Sequence, residues 1–364
     1  MSLDNLSCLL TGPGKARFEK RATPAIEDAH DVLIKMAYVG VCGSDVHYWT
    51  HAGMMGRSVT EDNPVVMGHE GSGIVQAVGP SVTTLRPGDR VAIEPQTPCR
   101  RCAQCKGGRY QLCGRMVFAS DPPHHGLLAQ VVRVPEDFAY RLGDATTLRE
   151  GALVEPLAVA VHGVRLSGLT AGQAVLVLGS GTIGLLTAAV ASAFGARSVC
   201  VIDVNEAKLE FAKRFVTVGR VGCATYVPDL TVGPEDNAAR IREAADLPDG
   251  ADVVIECTGV ESSMQTGLHA AGRGSSFVQV GMGKSMQAVP LSVMGEREIG
   301  FTASFRYGPG DYRTALDLVA AGKVDVGAMV SSVVPFDRAT EAWEKTKRGE
   351  GIKNQIQVNE DLSE

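Results

Sequence analysis

The sequence predicts an α/β protein in two parts, a barrel-like β domain followed by a doubly wound parallel sheet. Two observations predict it. Up to about residue 150, short β-like runs alternate with Gly, Pro and Asp turn clusters, as in a small barrel. From Gly151 onward, apolar strands alternate with long amphipathic segments, the pattern of a parallel sheet with helices on both faces. With 364 residues and 42 glycines the chain has room for two cores and many tight turns.

In the first part, strands are expected at 32–39 (VLIKMAYV), 73–78, 90–93 and 129–134, with the turn RPGD at 86–89. A helical stretch, EGALVEPLAVAVHGVRLSG, then leads into the second part. There, strands are expected at 174–179, 198–203, 251–259 and 275–281, and helices at 182–194, 206–215 and 262–271. A further helix is expected at 311–321, and the final NEDLSE reads as a solvated tail.

Composition excludes several function classes. The chain is 45% hydrophobic and 21% charged, with a net charge of −6, and no Lys/Arg run is dense enough to bind nucleic acid. The longest apolar candidate, 174–194, is interrupted by Gly179, Gly181 and Gly184, so no membrane span is expected. The N-terminus lacks the basic flank and apolar run of a secretory signal, and five of the nine cysteines are scattered. The expectation is a cytoplasmic protein.

Three groups of residues carry chemistry. Cys99, Cys102, Cys105 and Cys113 are spaced C-x2-C-x2-C-x7-C, with Pro98, Gly107, Gly108 and Gly114 allowing sharp turns. Four thiolates so placed close a tetrahedral Zn²⁺ site with no open position; two disulfides or unrelated surface cysteines are the alternatives. Gly179-Ser180-Gly181-Thr182-Ile183-Gly184 follows an apolar strand and opens an apolar helix, the setting in which such a loop receives a pyrophosphate. The next strand ends at Asp203, where a carboxylate accepts ribose hydroxyls and repels a 2′-phosphate, which argues NAD over NADP. Lys208 is a weaker candidate on the same side. Finally, Cys42, His69, Glu70 and Glu155 supply one thiolate, one imidazole and carboxylates, a donor set that leaves a coordination position open for catalysis. Taken singly, each of these four also reads as a core thiol, a loop histidine or a cap or surface acid.

The motifs CGSDVHYW, GHEGSG, the cysteine quartet, VEPLAVAVHG, GSGTIG and SFRYG occur in this order along nearly the whole chain. Together they resemble the zinc-dependent medium-chain dehydrogenases, in their polyol (sorbitol, xylitol, L-arabinitol) branch. The resemblance implies a GroES-like catalytic domain at 1–157, a Rossmann domain at 158–298 and a return to the catalytic domain at 299–364. It implies that Cys42, His69 and Glu70 bind a catalytic zinc, with Glu155 contacting the ion or its water. Two zinc ions per chain and NAD are then the cofactors. Ser44 and His47 resemble the family's proton relay, with a path through Glu155 and water as the alternative. Tyr48, Phe118, Glu155, Arg306 and Tyr307 would contact the substrate, a polyol oxidised at a secondary alcohol, and a homotetramer is implied by analogy. Another secondary alcohol of specialised metabolism is the alternative substrate; a zinc lyase or hydrolase and a non-catalytic redox-sensing or structural protein are the competing classes. Two stretches depart from animal sorbitol dehydrogenases: HAGMMGRSVTEDN (51–63) is slightly longer, and 215–239 carries insertions.

Overall fold

The structure, a computed structural model, describes residues 4–54, 56–216 and 223–362. The chain divides into two compact units. The first comprises Met1–Glu155, Gly308–Leu316 and Val326–Glu364; the second comprises Pro156–Tyr307 and Asp317–Asp325.

Among the described residues, a seven-stranded sheet organises the first unit. Its centre is the strand Asp31–Gly40, whose β-branched and aromatic run is buried along most of its length. One edge of this strand pairs antiparallel with Glu70–Val78. The other edge is shared: residues 31–35 pair with Val131–Pro135, and residues 38–40 pair with Lys353–Gln357. The strand Val330–Pro335 lies parallel to Lys353–Gln357 and completes that side. Ile34, Val39, Leu128, Trp343 and Ile356 belong to the apolar core beneath the sheet.

The second unit holds a six-stranded, all-parallel sheet. Its strands run in the order Cys223–Tyr226, Ser198–Ile202, Ala174–Leu178, Ala251–Glu256, Ala271–Gln279, Gly300–Ala303. The strand order reverses between Ala174–Leu178 and Ala251–Glu256, where doubly wound sheets bind ligands at their carboxyl ends. Leu176, Val254, Leu268 and Phe277 belong to its separate core.

The expected strands and helices recur with ends shifted by a few residues. Three expectations change. The boundary at 298 falls too early, because Gly300–Ala303 hydrogen-bonds to Ala271–Gln279 as the sixth strand of the parallel sheet. The strands Asn5–Gly12, Lys15–Arg21, Val330–Pro335 and Lys353–Gln357 were not anticipated; KNQIQ, for one, holds a single apolar residue. The tail is not simply solvated: Asn359 is buried, and its Nδ2 donates to the carbonyls of Met36 (2.7 Å) and Gln130 (3.0 Å). Parts of the two departing stretches, Met55 and residues 217–222, lie outside the described residues. No helix among the described residues is long and apolar enough to cross a membrane.

A short turn at Glu136–Phe138 joins two strands of the first unit. Burial raises the Glu136 pKa, but hydrogen bonds from His30, the Thr83 and Thr84 amides and the Thr84 hydroxyl outweigh it and hold the carboxyl at about 2. A depressed carboxylate stabilises the fold above its ordinary range and loses that contribution as pH falls toward 2. Glu136→Gln is therefore expected to cost about 1 kcal/mol at pH 7, allowing for solvent screening. Denaturant unfolding should show the difference closing between pH 4.5 and pH 2, and a gap that stays constant over that window would contradict the assignment.

Candidate metal centres and the glycine loop

Cys42 is the N-cap of the helix Gly43–His51, just after the central strand ends at Gly40. The third helical residue, Asp45, reaches back so that its Oδ2 accepts the Cys42 N–H at 3.0 Å, which fixes the chain direction at the cysteine. His69 and Glu70 sit at the start of the neighbouring strand. Ligand atoms of Cys42, His69 and Glu70 all lie within 4.8 Å of one another, with His69 and Glu70 buried. His69 Nδ1 faces Ser120 Oγ at 3.1 Å and Asp45 Oδ1 at 3.6 Å. Those contacts commit Nδ1 to the protein and leave Nε2 for a metal, the usual division for a ligating imidazole.

Glu70 has a partner the sequence did not announce. Its Oε2 forms an ion pair with Lys353 Nζ, both side chains are 2% exposed, and the ammonium also donates to the Val41 carbonyl at 3.0 Å. Burial disfavours the charged lysine, but Glu70 and the Cys42 thiol outweigh it and raise its pKa above the ordinary value. The pair passes over Gly40, which stands opposite Glu70 in one ladder and Gln355 in the other. A Cβ at Gly40 would lie 2.1 Å from Glu70 Oε2 and 3.0 Å from Lys353 Cε, so a side chain there would displace the pair.

Around this trio, Phe118 places its ring 5.6 Å from that of His69. Tyr48 is buried, and its hydroxyl donates to Asp121 Oδ1 at 3.5 Å; Asp121 Oδ2 pairs with Arg57 Nη1 at 2.8 Å. Glu155 is buried in the first turn of the helix Val154–Leu166 and acts electrostatically on His69, yet it falls outside the close trio. Ser44 is half-buried, and His47 is exposed with its ring 4.8 Å from that of His51. Arg306 and Tyr307 belong to the second unit. Arg306 has a positive φ of 55° and lies over the Phe305 ring at 4.8 Å, and Tyr307 is fully buried.

The four clustered cysteines converge as expected. Zn–S bonds of about 2.3 Å put the sulfurs of a tetrahedral site about 3.8 Å apart. Here Cys102 Sγ lies 3.4 Å from Cys105 and 3.9 Å from Cys113, and Cys99 lies 3.9 Å from Cys105. These distances fit thiolates around one ion and exclude disulfides, whose sulfurs sit about 2.05 Å apart. The amides of Cys99, Cys102 and Arg115 and the Arg115 guanidinium donate to sulfurs of the cluster at 3.2–3.4 Å, offsetting its negative charge. Tyr110, within the loop, donates to the buried Glu94 at 2.7 Å, and Tyr140 and Gln96 donate to the same carboxylate.

In the second unit, Gly179 turns with φ +103°, and a Cβ at Gly184 would strike the Gly179 carbonyl at 1.9 Å. Strand and helix are thereby brought into direct backbone contact. Gly181 is the N-cap of the helix Thr182–Ala193, and a Cβ there would meet nothing within 4 Å. The start of the helix thus carries no side-chain screen at Gly181, which fits an anion such as a pyrophosphate. Asp203 Oδ2 accepts the Ser180 N–H at 2.6 Å, and Oδ1 accepts that of Asn205 at 2.8 Å. Each carboxylate oxygen can accept a second hydrogen bond. The Lys208 N–H donates to the Asn205 side-chain cap at 3.1 Å. Sequence reasoning missed Glu256, which is fully buried and accepts from the Thr258 hydroxyl and from Thr258 N (2.8 Å), Gly259 N (2.8 Å), Ser263 Oγ (3.1 Å) and Gln279 Nε2 (2.6 Å).

Comparison with known proteins finds similar chains over nearly the whole length. Residues 28–144 match the alcohol dehydrogenase GroES-like domain, and residues 182–321 match the zinc-binding dehydrogenase domain. A probable D-xylulose reductase A of Aspergillus terreus is 47% identical over 98% of this chain and 99% of its own. An Escherichia coli oxidoreductase/dehydrogenase of unknown specificity superposes with a TM-score of 0.90 at 30% identity, covering 98% of this chain and 99% of that one. The L-idonate 5-dehydrogenase of Escherichia coli superposes with a TM-score of 0.86 at 26% identity, covering 97% and 98%.

Removing the ammonium alone would leave Glu70 buried without its counter-charge. Lys353→Met is expected to destabilise the chain by about 3–5 kcal/mol in chemical unfolding, with a substantial part restored in the Lys353→Met, Glu70→Gln double variant. Additive losses would show that the two charges do not act as a pair.

Proposed function

The chain belongs to the zinc-binding medium-chain dehydrogenases, and we propose that it is an NAD-dependent polyol dehydrogenase. It oxidises a secondary alcohol of a sugar alcohol, of the xylitol, sorbitol or L-arabinitol class, to the ketose. The observation that carries this reading is the open donor trio of Cys42, His69 and Glu70, set beside a wall bearing Tyr48 and Phe118. Relatives named for D-xylulose reduction favour a pentitol–pentulose pair, since reducing that ketone yields a pentitol.

Cys42, His69 and Glu70 would hold one zinc, and Cys99, Cys102, Cys105 and Cys113 a second. When bound, the first supplies Lewis acidity that lowers the pKa of an alcohol, and the nicotinamide accepts hydride. The protein's own groups do the rest. Asp45 and Ser120 fix the His69 ring, and Lys353 removes one negative charge from beside Cys42 and Glu70. Ser44 and the exposed His47 carry the alcohol proton toward solvent, with Glu155 and water as the second path. Asp203 receives the ribose hydroxyls, and the N–H groups after Gly181 receive the pyrophosphate. Glu155, Arg306 and Tyr307 complete the set assigned to substrate.

We assign the protein to the cytoplasm as a homotetramer. Nine free cysteines suit a reducing compartment. The edge strand Gly300–Ala303 exposes Phe301 in the same unit as Met282, Met286 and Leu291, surface that a second copy can cover.

Metal analysis is expected to find two zinc ions per chain, and one in Cys105→Ser. Cys42→Ala is expected to abolish NAD reduction while the far-UV spectrum stays native; full activity would remove the metal assignment. Ranking xylitol, sorbitol, L-arabinitol and 2-butanol by kcat/KM tests the substrate class, and a ranking led by the simple alcohol would favour the alternative of another secondary alcohol. Asp203→Ser is expected to raise KM for NAD about tenfold and narrow the preference over NADP. A wild-type enzyme that prefers NADP would contradict the role given to Asp203.

A further inference from the structure

We propose that Arg21 and His125 form a second binding site in the first unit, apart from the metal trio, for a small monocarboxylate with a short apolar body.

The two residues line a cavity of about 360 Å³, a size that small-molecule sites commonly have. Ala22, Pro24, Val66 and Leu127 are also part of its wall, whereas Cys42, His69 and Glu70 are not. Arg21 is half-buried and His125 is exposed, so a solute can reach both.

The tautomer of His125 is the first argument. Val66 is 1% exposed, and its backbone N–H donates to His125 Nδ1 at 3.2 Å. A buried backbone N–H keeps a partner, so Nδ1 holds the lone pair. Burial, the Arg21 charge and His124 together hold the His125 pKa below its ordinary value, and the neutral ring carries one hydrogen. That hydrogen is therefore on Nε2. Arg21 Nη2 faces Nε2 at 2.9 Å, and a guanidinium only donates. The contact sets donor against donor. It becomes favourable when an acceptor oxygen takes a hydrogen from each, and a single oxygen can reach two nitrogens this close together.

Charge is the second argument. Among the described residues Arg21 has no carboxylate partner. Arg133, the other arginine of the wall, pairs with Glu27 and Asp31 and donates to the Ala25 carbonyl at 3.1 Å. Glu94, the one carboxylate of the wall, is 1% exposed and accepts from Tyr110, Tyr140 and Gln96. Glu19, which acts on His125 electrostatically, pairs with Arg17 at 3.1 Å. One guanidinium charge is left over, and it matches a monoanion. A carboxylate brings that charge with acceptor oxygens only. The aliphatic wall then takes the body that carries it.

The site stands independently of the polyol reading. Its test is calorimetric titration of the zinc-loaded wild type, Arg21→Gln and His125→Asn with butyrate, acetate and inorganic phosphate, at fixed ionic strength and near-neutral pH. Asparagine at 125 keeps an acceptor for the Val66 N–H and removes the outer donor. The wild type is expected to bind one butyrate per chain here, about tenfold more weakly in Arg21→Gln and about threefold more weakly in His125→Asn. Butyrate should bind about threefold or more tighter than acetate through its two added methylenes, and also tighter than phosphate, which is largely a dianion. Carboxylate held at the metal trio or the glycine loop is indifferent to both substitutions, so equal affinity in all three proteins overturns the proposal. A wild type with no saturable butyrate site overturns it as well, as does phosphate or acetate binding at least as tightly as butyrate. Should His125→Asn not be recovered folded, Arg21→Gln decides alone: a tenfold loss supports the site, and unchanged affinity overturns it.

Discussion

The ammonium of Lys353, the carboxylate of Glu70 and the absent side chain of Gly40 share one volume on three neighbouring strands. Much of the first unit follows from that constraint. Bringing a carboxylate and an ammonium out of water costs several kcal/mol per ion, and mutual attraction returns that only when the geometry is good. Such a pair explains little about stability. It explains the charge of the site better, because it sets a positive charge beside Glu70 and Cys42, two groups that are negative when ionised. The same pair requires the strand Lys353–Gln357 to lie against the end of Asp31–Gly40, where the chain turns into the helix that Cys42 caps.

The second unit uses carboxylates differently. Asp203 and Glu256 each bind backbone N–H groups at the ends of parallel strands, on the two sides of the point where strand order reverses. Such acceptors hold irregular backbone in one shape without a bulky side chain, which leaves room for glycines to approach one another. A Cβ at Gly283 would lie 1.7 Å from the Gly259 carbonyl, and one at Gly281 2.7 Å from Glu256 Oε2, so this loop is closed as tightly as GSGTIG itself. Asp203 thus fixes the loop through both carboxylate oxygens, and in the proposed function their remaining lone pairs would receive the cofactor's ribose.

What was legible in the sequence is what depends on short spacing. The cysteine quartet, the loop between Gly179 and Gly184 and the adjacent His69-Glu70 are each local, and local spacing constrains where side chains point. The alternating apolar strands of the parallel sheet were legible for the same reason, being buried on both faces. Partners brought in from a distance were not. Lys353 sits in KNQIQ, a strand without apolar periodicity, and nothing near it announces a buried charge. Ser120 reaches His69 through a turn far from it in sequence. Asp45 left a faint signal, an acid three residues after a cysteine that starts a helix. The domain boundary was misplaced because Gly300–Ala303 is exposed and glycine-led, a short edge strand that pattern reading cannot separate from a loop.

The position of Lys353 also bears on how the protein is made. Chains grow from the amino terminus, and domains tend to fold as they emerge. Val41, whose carbonyl the lysine binds, leaves the ribosome 312 positions ahead of it. The segment Pro156–Tyr307 of the second unit emerges before this lysine and can begin to form its sheet while the first unit still lacks its final strands. Glu70 therefore lacks its counter-charge until Lys353 has emerged. The four sulfurs of the cysteine loop, by contrast, come together within one short stretch of chain and wait for no distant partner.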